Sequence, residues 1–289
     1  MKIKKNDLFI GIYLLAAVLF FIISIPSWLL DILLAFNIMV ALVILFNSLF
    51  AKEVLDMASF PTMLLFTTIF RISLNVSSTK MILRDGYAGH VVSVFGQFVG
   101  GGNLVIGTII FIVLIIVQFI VINKGSERVS EVTARFTLDA MAGKQMAIDS
   151  DLNTGAITDK EAAERRKKLQ QENSFFGSMD GATKYVKGDA TAGLIITAIN
   201  LVGGIAMGML YNGMSINDAL STYSILTIGD GLCSQIPSLL ISLSTGILVT
   251  KASSEGELGD EMVGQLFSMD RVLIMVGAAL ILLLSLIHI

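Results

Sequence analysis

Arg71 lies in the middle of a long apolar segment, where a charged side chain could hold or relay an ion. In a helix, Asn75 and Ser78 share its face, because side chains four and seven residues apart lie on one side. If the segment spans a membrane, a charge at its centre costs about 3 kcal/mol on insertion scales, so Arg71 must face protein or water. Two interpretations remain open: Arg71 pairs with a carboxylate in an ion pathway, or it donates hydrogen bonds to carbonyls at a helix break.

Asp189 is the second candidate, because it directly precedes another apolar run and follows two lysines, Lys184 and Lys187. Aspartate is a favoured N-cap residue and Gly188 suits a turn, so a purely structural helix cap is one interpretation. The other is a carboxylate at a membrane boundary that gains and loses a proton. The two interpretations are compatible with each other.

Motifs of catalysis, nucleotide binding and metal binding do not occur in the sequence. Gly143-Lys144 does not belong to a nucleotide-binding loop, because Gln145, rather than serine or threonine, follows the lysine. Cys233 is the only cysteine, and no H-E-x-x-H pattern is present. The net charge of −3 opposes nucleic-acid binding, which needs a basic surface. We therefore expect a protein that is not an enzyme and that binds no cofactor, metal or nucleic acid.

The elements that position these residues are predicted to be membrane helices. Hydrophobic residues make up 54% of the chain and charged residues 15%, whereas a soluble domain carries about 25% charged residues. One span takes about 20 apolar residues, so the apolar runs predict an all-α, polytopic transmembrane bundle of about seven spans. Four runs come first and three follow after a polar stretch; they are residues 8–25, 32–50, 57–83, 104–122, 190–211, 232–250 and 271–289.

The polar stretch, residues 124–189, is predicted to be a helical cytoplasmic insertion between the fourth and fifth spans. It holds eleven of the 20 lysines and arginines and eleven of the 23 acids. Thr158, with Glu161 three residues later, predicts a capping box at the start of a charged helix. In the membrane region, Asp31 is the predicted N-cap of the second span, and glycines between residues 86 and 102 favour a bend or gating loop.

The positive charges predict the orientation, because loops rich in lysine and arginine stay in the cytoplasm. On that rule the N-terminus and the insertion are both cytoplasmic. The other positive residues on this side are Lys2, Lys4, Lys5, Lys52 and Lys251. Lys80 and Arg84, at the far end of the third segment, oppose the assignment and allow that segment to be broken or re-entrant.

Six collinear blocks of the sequence resemble the FHIPEP family, which comprises the export-gate proteins of flagella and of type III secretion. The longest block, KGSERVSEVTARFTLDAMAGKQMAIDSDLNTG (Lys124–Gly155), is too long to be a chance match. The other blocks are RISLNVSSTKMILRDGYAG (Arg71–Gly89), FGQFVGGGNLVIG (Phe95–Gly107), FFGSMDGATKYVKGDATAG (Phe175–Gly193), LTIGDGL (Leu226–Leu232) and QIPSLLIS (Gln235–Ser242). The residues of these blocks are more similar to those of the flagellar members than to those of the injectisome members.

The resemblance implies a protein of the bacterial inner membrane that couples the proton-motive force to export of unfolded flagellar subunits. Family members have eight spans followed by a large cytoplasmic domain, and they assemble as a nonameric ring beneath the secretion channel. The implied partners are other copies of the chain, other membrane components of the gate, and membrane lipid. The cytoplasmic domain adds the export ATPase complex and chaperone–substrate complexes.

The resemblance also carries roles onto matching positions. Arg71, Lys184 and Asp189 correspond to the proposed ion-coupling set, with Asp180 and Asp230 as further acids of interest. The charged network of the cytoplasmic loop corresponds to Arg128, Arg135 and Asp139.

Two alternatives to a flagellar gate stay open. One is a passive ring scaffold whose charges only fix subunit packing, and the other is the homologous injectisome protein. Compared with the family, we expect the last span and the substrate-docking domain to lie outside this chain. The terminal sequence LSLIHI (Leu284–Ile289) also equals one translation of a transposon end used in sequencing libraries, so we expect the natural chain to continue differently after Leu283.

Overall fold

The chain folds into helices joined by short connections in the computed structural model, which describes residues 5–100, 103–251 and 258–287. No strand occurs in these residues, and the predicted all-α membrane bundle is confirmed. The prediction for the terminal LSLIHI falls partly on residues 288–289, and the charges of Lys2 and Lys4 fall on the first four residues. Both lie outside the described part of the chain.

Ten α-helices are described within these ranges, together with one 3-10 turn and one π-helical turn. They are α1 (Lys5–Ile22), α2 (Ser27–Phe50), the 3-10 turn (Val54–Met57), α3 (Phe60–Asp85), α4 (His90–Gly100), α5 (Leu104–Val117), the π-helical turn (Gln118–Asn123), α6 (Lys124–Asn153), α7 (Asp159–Leu210), α8 (Ile216–Thr250), α9 (Leu258–Phe267) and α10 (Asp270–Ile287). Five segments in the described residues are long and apolar enough to cross a membrane. These are Ser27–Phe50, Val54–Asp85, Leu104–Asn153, Asp159–Leu210 and Ile216–Thr250.

Helix α3 is uninterrupted, so of the forms left open for the third apolar segment the continuous helix is the observed one. Pro61 lies in its first turn, where the missing N–H of proline costs no helical hydrogen bond. Gly86 ends the helix in the left-handed conformation, with φ 61°, and its N–H donates to the carbonyl of Ile82. Arg71 therefore lies in the middle of a regular helix.

Lys80, whose charge opposes the orientation assigned from the loops, has a structural role. Its Nζ donates to two carbonyls at the C-terminal end of α1. Lys251 acts in the same way at the end of α2, where it also donates to two carbonyls. The last carbonyls of a helix lack helical partners and carry partial negative charge, so helix capping explains both lysines.

Helices α6 and α7 form a long antiparallel hairpin that continues two membrane helices. The α5 helix, the π-helical turn and α6 make one rod of 50 residues (Leu104–Asn153), and α7 has 52 residues. At about 1.5 Å per residue each rod is about 75 Å long, more than twice the thickness of the hydrocarbon core. The boundary predicted at Asp189 thus falls inside α7, and the polar insertion is not a separate globular unit.

The tip of the hairpin has the predicted capping box. The backbone N–H of Thr158 donates to Oε2 of Glu161 at 2.8 Å, and the N–H of Glu161 donates to the Thr158 hydroxyl at 3.3 Å. The Thr158 N–H and hydroxyl both donate to the Glu161 carboxylate, and these two hydrogen bonds lower the pKa of that carboxyl. The cap fixes the start of α7 at the turn.

Apolar side chains attach the base of the hairpin to the bundle. Phe175, Phe176 and Met179 of α7 share a buried cluster with Phe60 of α3. A second apolar cluster fills the opposite half of the bundle, between α2, α3, α4 and α8. The hairpin is therefore held by packing at its base, close to the membrane half of α7.

Helix α4 is a regular helix, so the flexible loop predicted across its glycines is wrong for residues 90–100. A Cβ at Gly229 of α8 would overlap the carbonyl oxygen of Val92, and one at Gly96 would overlap that of Ile225. The glycines let the two helix backbones approach closely, which is the usual way that membrane helices gain contact.

Asp31 also differs from its prediction. Helix α2 begins at Ser27, so Asp31 is not its N-cap. Its carboxylate instead accepts the backbone N–H groups of His90 and Val91, both at 2.9 Å, and so caps the start of α4 from a neighbouring helix. The side chain was correctly predicted to cap a helix, but the helix is a different one.

We expect Gly229→Ala to destabilise the protein, because the added methyl group meets backbone atoms that cannot move aside on their own. Overpacking of this kind costs about 1–3 kcal/mol. The measurement is the thermal unfolding midpoint in detergent micelles. Gly177→Ala is the matched control, because a Cβ at that helical position has no atom within 4 Å and should leave the midpoint unchanged or raise it. Equal midpoints for the two variants would contradict the close α4–α8 contact.

Candidate functional site: a buried arginine–aspartate pair

Arg71 and Asp189 form an ion pair inside the bundle. The Nη2 group of Arg71 on α3 donates to Oδ2 of Asp189 on α7, and the two side chains are only 1% and 4% exposed. Of the two interpretations of Arg71, the carboxylate partner is the observed one. Asp189 lies far inside α7, so its interpretation as an N-cap is wrong.

The pair is only partly satisfied by protein groups. Among the described residues, Nε and Nη1 of Arg71 have no hydrogen-bond partner. Removing one member of such a pair would leave an uncompensated buried charge, which costs about 3–5 kcal/mol. The pair therefore ties α3 to α7 at this level of the bundle.

A small cavity, called here the inner cavity, lies against the pair. Its volume is about 30 Å³. A buried water needs about 10–15 Å³ by this measure, so the inner cavity has room for about two. Besides the pair itself, its polar lining includes Asn75, Gln118, Asn123, Thr197, Ser234 and Ser238. Both the size and the lining suit water next to the free N–H groups of Arg71.

The polar face predicted on α3 continues from Arg71 to a second carboxylate. Asn75 lines the inner cavity, and Ser78, whose hydroxyl donates to the Asn75 carbonyl at 3.0 Å, lies beside Asp230 of α8. Asp230 is buried and accepts a hydrogen bond from Nδ2 of Asn200 at 2.8 Å. Both of these neighbours of Asp230 are neutral, whereas the partner of Asp189 is a cation.

Lys184 and Asp180 lie apart from the buried pair. They form an exposed ion pair at 2.7 Å, one helical turn apart on α7, with side chains 63% and 37% exposed. The Asp180 carboxylate raises the pKa of Lys184. Lys184, which the resemblance groups with Asp189, faces solvent and pairs with Asp180 instead.

The predicted network of the polar loop consists of surface contacts. Arg128 pairs with Glu131 at 2.9 Å on the exposed side of α6. Arg135 and Asp139 are also exposed, and neither makes an ion pair within the described ranges. Other pairs join α6 to α7 along the hairpin; they are Lys144–Glu172, Arg165–Asp151, Arg166–Asp149 and Lys187–Glu127.

Sequence reasoning missed the uncharged residues that complete the site. Asn200 is the only Asn, Gln or charged residue within residues 190–211, so a signal was available for it. Gln118 and Asn123 lie at the end of the apolar run of α5, where polar residues are expected simply because a membrane span ends there. No group of histidine, cysteine, aspartate and glutamate in the described residues is arranged to hold a metal ion.

Fold and site together define a polytopic α-helical membrane protein with a buried ion pair where a long polar hairpin joins the bundle. The FHIPEP family profile matches residues 17–288. The chain belongs to the FHIPEP family.

Individual relatives agree with this assignment. The chain is 54% identical over 283 residues to the flagellar biosynthesis protein FlhA of Bacillus subtilis, covering 98% of this chain and 42% of the relative. It is 51% identical over 264 residues to FlhA of Salmonella typhimurium, with 90% and 38% covered. The low calcium response locus protein D of Yersinia pestis is 47% identical over 286 residues, with 98% and 40% covered. The chain thus spans about two fifths of these relatives. No solved structure matches it.

We expect Arg71→Met and Asp189→Leu each to lower the free energy of unfolding by about 3–5 kcal/mol, because each leaves one buried charge alone. The double variant should recover most of that loss, since an apolar pair needs no compensation. Unfolding in detergent micelles followed by circular dichroism gives the double-mutant cycle.

Arg128→Met serves as the control for this cycle, because its ion pair is exposed and should contribute little. Additive losses in the double variant would mean that the two side chains are not energetically coupled.

Proposed function

We propose that the chain is the membrane part of a type III protein export gate, and that Asp189 couples proton movement to the hairpin. The observation that carries the proposal is the position of the Arg71–Asp189 pair. Its acidic member, Asp189, lies on α7, which runs unbroken from the bundle to the hairpin tip. A change in the pair at one end of α7 can therefore act on the other end.

The proposed cycle begins with a proton binding to the Asp189 carboxylate. A neutral Asp189 no longer balances the charge of Arg71, so the attraction between α3 and α7 falls. The guanidinium then turns its donors toward the inner cavity, where polar side chains and water can accept them. Helix α7 shifts relative to α3, and release of the proton restores the pair. Such a switch needs two discrete arrangements of the packed helices. The intact ion pair favours one arrangement, and the protonated carboxylate favours the other.

The partners follow from the family. In this proposal several copies of the chain form a ring, nine by resemblance to the family, together with other membrane components of the gate and with lipid. Apolar side chains on the outer face of α5 support lipid or subunit contact, since Val105, Ile109 and Ile112 are about half exposed or more. The hairpin and the N-terminus face the cytoplasm of the bacterial cell. The proposed partners also include the export ATPase complex and chaperone–substrate complexes, which the resemblance assigns to the cytoplasmic domain of the family.

The flagellar assignment is preferred to the injectisome one on sequence. Identity to FlhA of Bacillus subtilis is 54%, against 47% to the Yersinia pestis protein, with similar coverage of the chain. The passive scaffold is the rival from another class. It assigns the buried pair to subunit packing alone, so it expects substitutions at Arg71 and Asp189 to fail at assembly.

We expect Asp189→Asn, introduced into the full-length protein, to abolish export and motility while leaving membrane insertion and ring assembly intact. Asparagine keeps the shape of the side chain and a hydrogen-bond acceptor for Arg71 but cannot gain and lose a proton in this way. Export of flagellar subunits into the medium and swarming measure function, and native gels of membrane extracts measure assembly.

Asp149→Asn is the matched control, because the same change falls on an exposed hairpin pair with Arg166 and should leave export unchanged. Full export by Asp189→Asn would remove the carboxylate from the coupling step. Loss of assembly in that variant would favour the scaffold.

A further inference from the structure

We propose that water reaches the Arg71–Asp189 pair from the hairpin side through two small polar cavities, and that Asn123 is the constriction between them. The inference deepens the proposed function, on which it rests for its purpose, since a coupling carboxylate inside a bundle needs a route for protons. The route itself is a physical property of the fold and can be tested without any export assay.

A second cavity lies between the inner cavity and the base of the hairpin. This outer cavity has a volume of about 20 Å³, which by the same measure holds one water. Its lining includes Asn123, Ser126, Glu127, Thr183, Lys187 and Ser242. Asn123 is the residue that lines both cavities, which places it where the two cavities meet.

An ion pair at the surface lies at the outer end of this route. Nζ of Lys187 on α7 lies 2.8 Å from Oε1 of Glu127 on α6, and the lysine side chain is 48% exposed. Both residues line the outer cavity while also meeting solvent. The outer cavity therefore has a charged, hydrated entrance on the hairpin side, and the inner cavity ends at Asp189.

The π-helical turn explains why Asn123 faces the route. A π-helix bonds each residue to the fifth one along, so Gln118 and Asn123 are brought to nearly the same face. Gln118 donates to the carbonyl of Gln235 at 2.9 Å, and Oδ1 of Asn123 accepts from the Ser242 hydroxyl at 2.9 Å. The turn thus points two amides at α8, on the side of the inner cavity.

Unpaired polar atoms at the inner cavity indicate that it suits water rather than an empty space. Nε and Nη1 of Arg71 and the hydroxyl of Ser238 are buried and have no partner among the described residues. Dry cavities in proteins are lined by apolar side chains, whereas polar cavities of this size hold water. The two cavities together give a polar path from Glu127 and Lys187 to the carboxylate of Asp189.

The test uses silver ion, a thiol reagent similar in size to a water molecule, on a cysteine placed in the inner cavity. Ser238→Cys is made in the full-length protein with Cys233→Ala and no other cysteine. The protein is held in inverted membrane vesicles, and maleimide labelling after denaturation counts the thiols that silver has not reached. We expect the Ser238→Cys thiol to react, and Asn123→Leu to slow the reaction about tenfold or more, because an apolar constriction excludes water.

Asn37→Leu is the matched control, because it makes the same change at a buried asparagine that lines neither cavity. It should leave the silver reaction at the rate of the parent. If Asn123→Leu does not fold, Thr245→Ile fills the outer cavity from its wall and must slow the reaction by itself.

An unreactive Ser238→Cys thiol would overturn the inference, and so would equal rates with and without Asn123→Leu. Neither outcome bears on whether Asp189 couples export, because silver access does not require the carboxylate to titrate. Conversely, full export by Asp189→Asn would end the proposed function and leave a measured water path in place.

Discussion

The burial of Arg71 against Asp189 constrains the packing of the whole bundle. Two charges that are almost fully removed from water are tolerated only while they face each other, so α3 and α7 must stay in register at that level. The contacts around them are consistent with this demand. Apolar side chains hold α7 to α3 on the hairpin side, and α4 and α8 approach backbone to backbone through glycine on the other.

The same constraint links the position of the hairpin to the ion pair. Because α7 is continuous, the position of its polar half is linked to the position of Asp189. The ion pairs along the hairpin are exposed and contribute little rigidity on their own. The apolar cluster of Phe175, Phe176 and Met179 at the base does more, since it is buried next to the membrane half. We therefore expect the hairpin to move as a rigid unit that pivots about its base.

Much of the fold and part of the site could be predicted from the sequence, because these features are local. The polar face of Arg71, Asn75 and Ser78 follows from helical spacing, and the capping box at Thr158 follows from residue types three apart. What helical spacing alone could not predict depends on long-range contact: only the family resemblance grouped Arg71 with Asp189, and the helix that Asp31 caps was missed. Asp189 pairs with a residue 118 positions away, and Asp31 caps a helix that begins 59 positions later, so spacing along the chain carries no sign of either.

The two buried carboxylates, Asp189 and Asp230, differ in the side chains that compensate their negative charge, and this difference separates their roles. Asp189 faces a cation, so its loss or gain of charge changes the balance between two helices. Asp230 accepts a hydrogen bond from Asn200 and lies beside Ser78, and neither neighbour carries an opposing charge. Asn75 stands between them on the same face of α3, beside the inner cavity. The polar face of α3 thus lies beside both a charge-compensated acid and an uncompensated one.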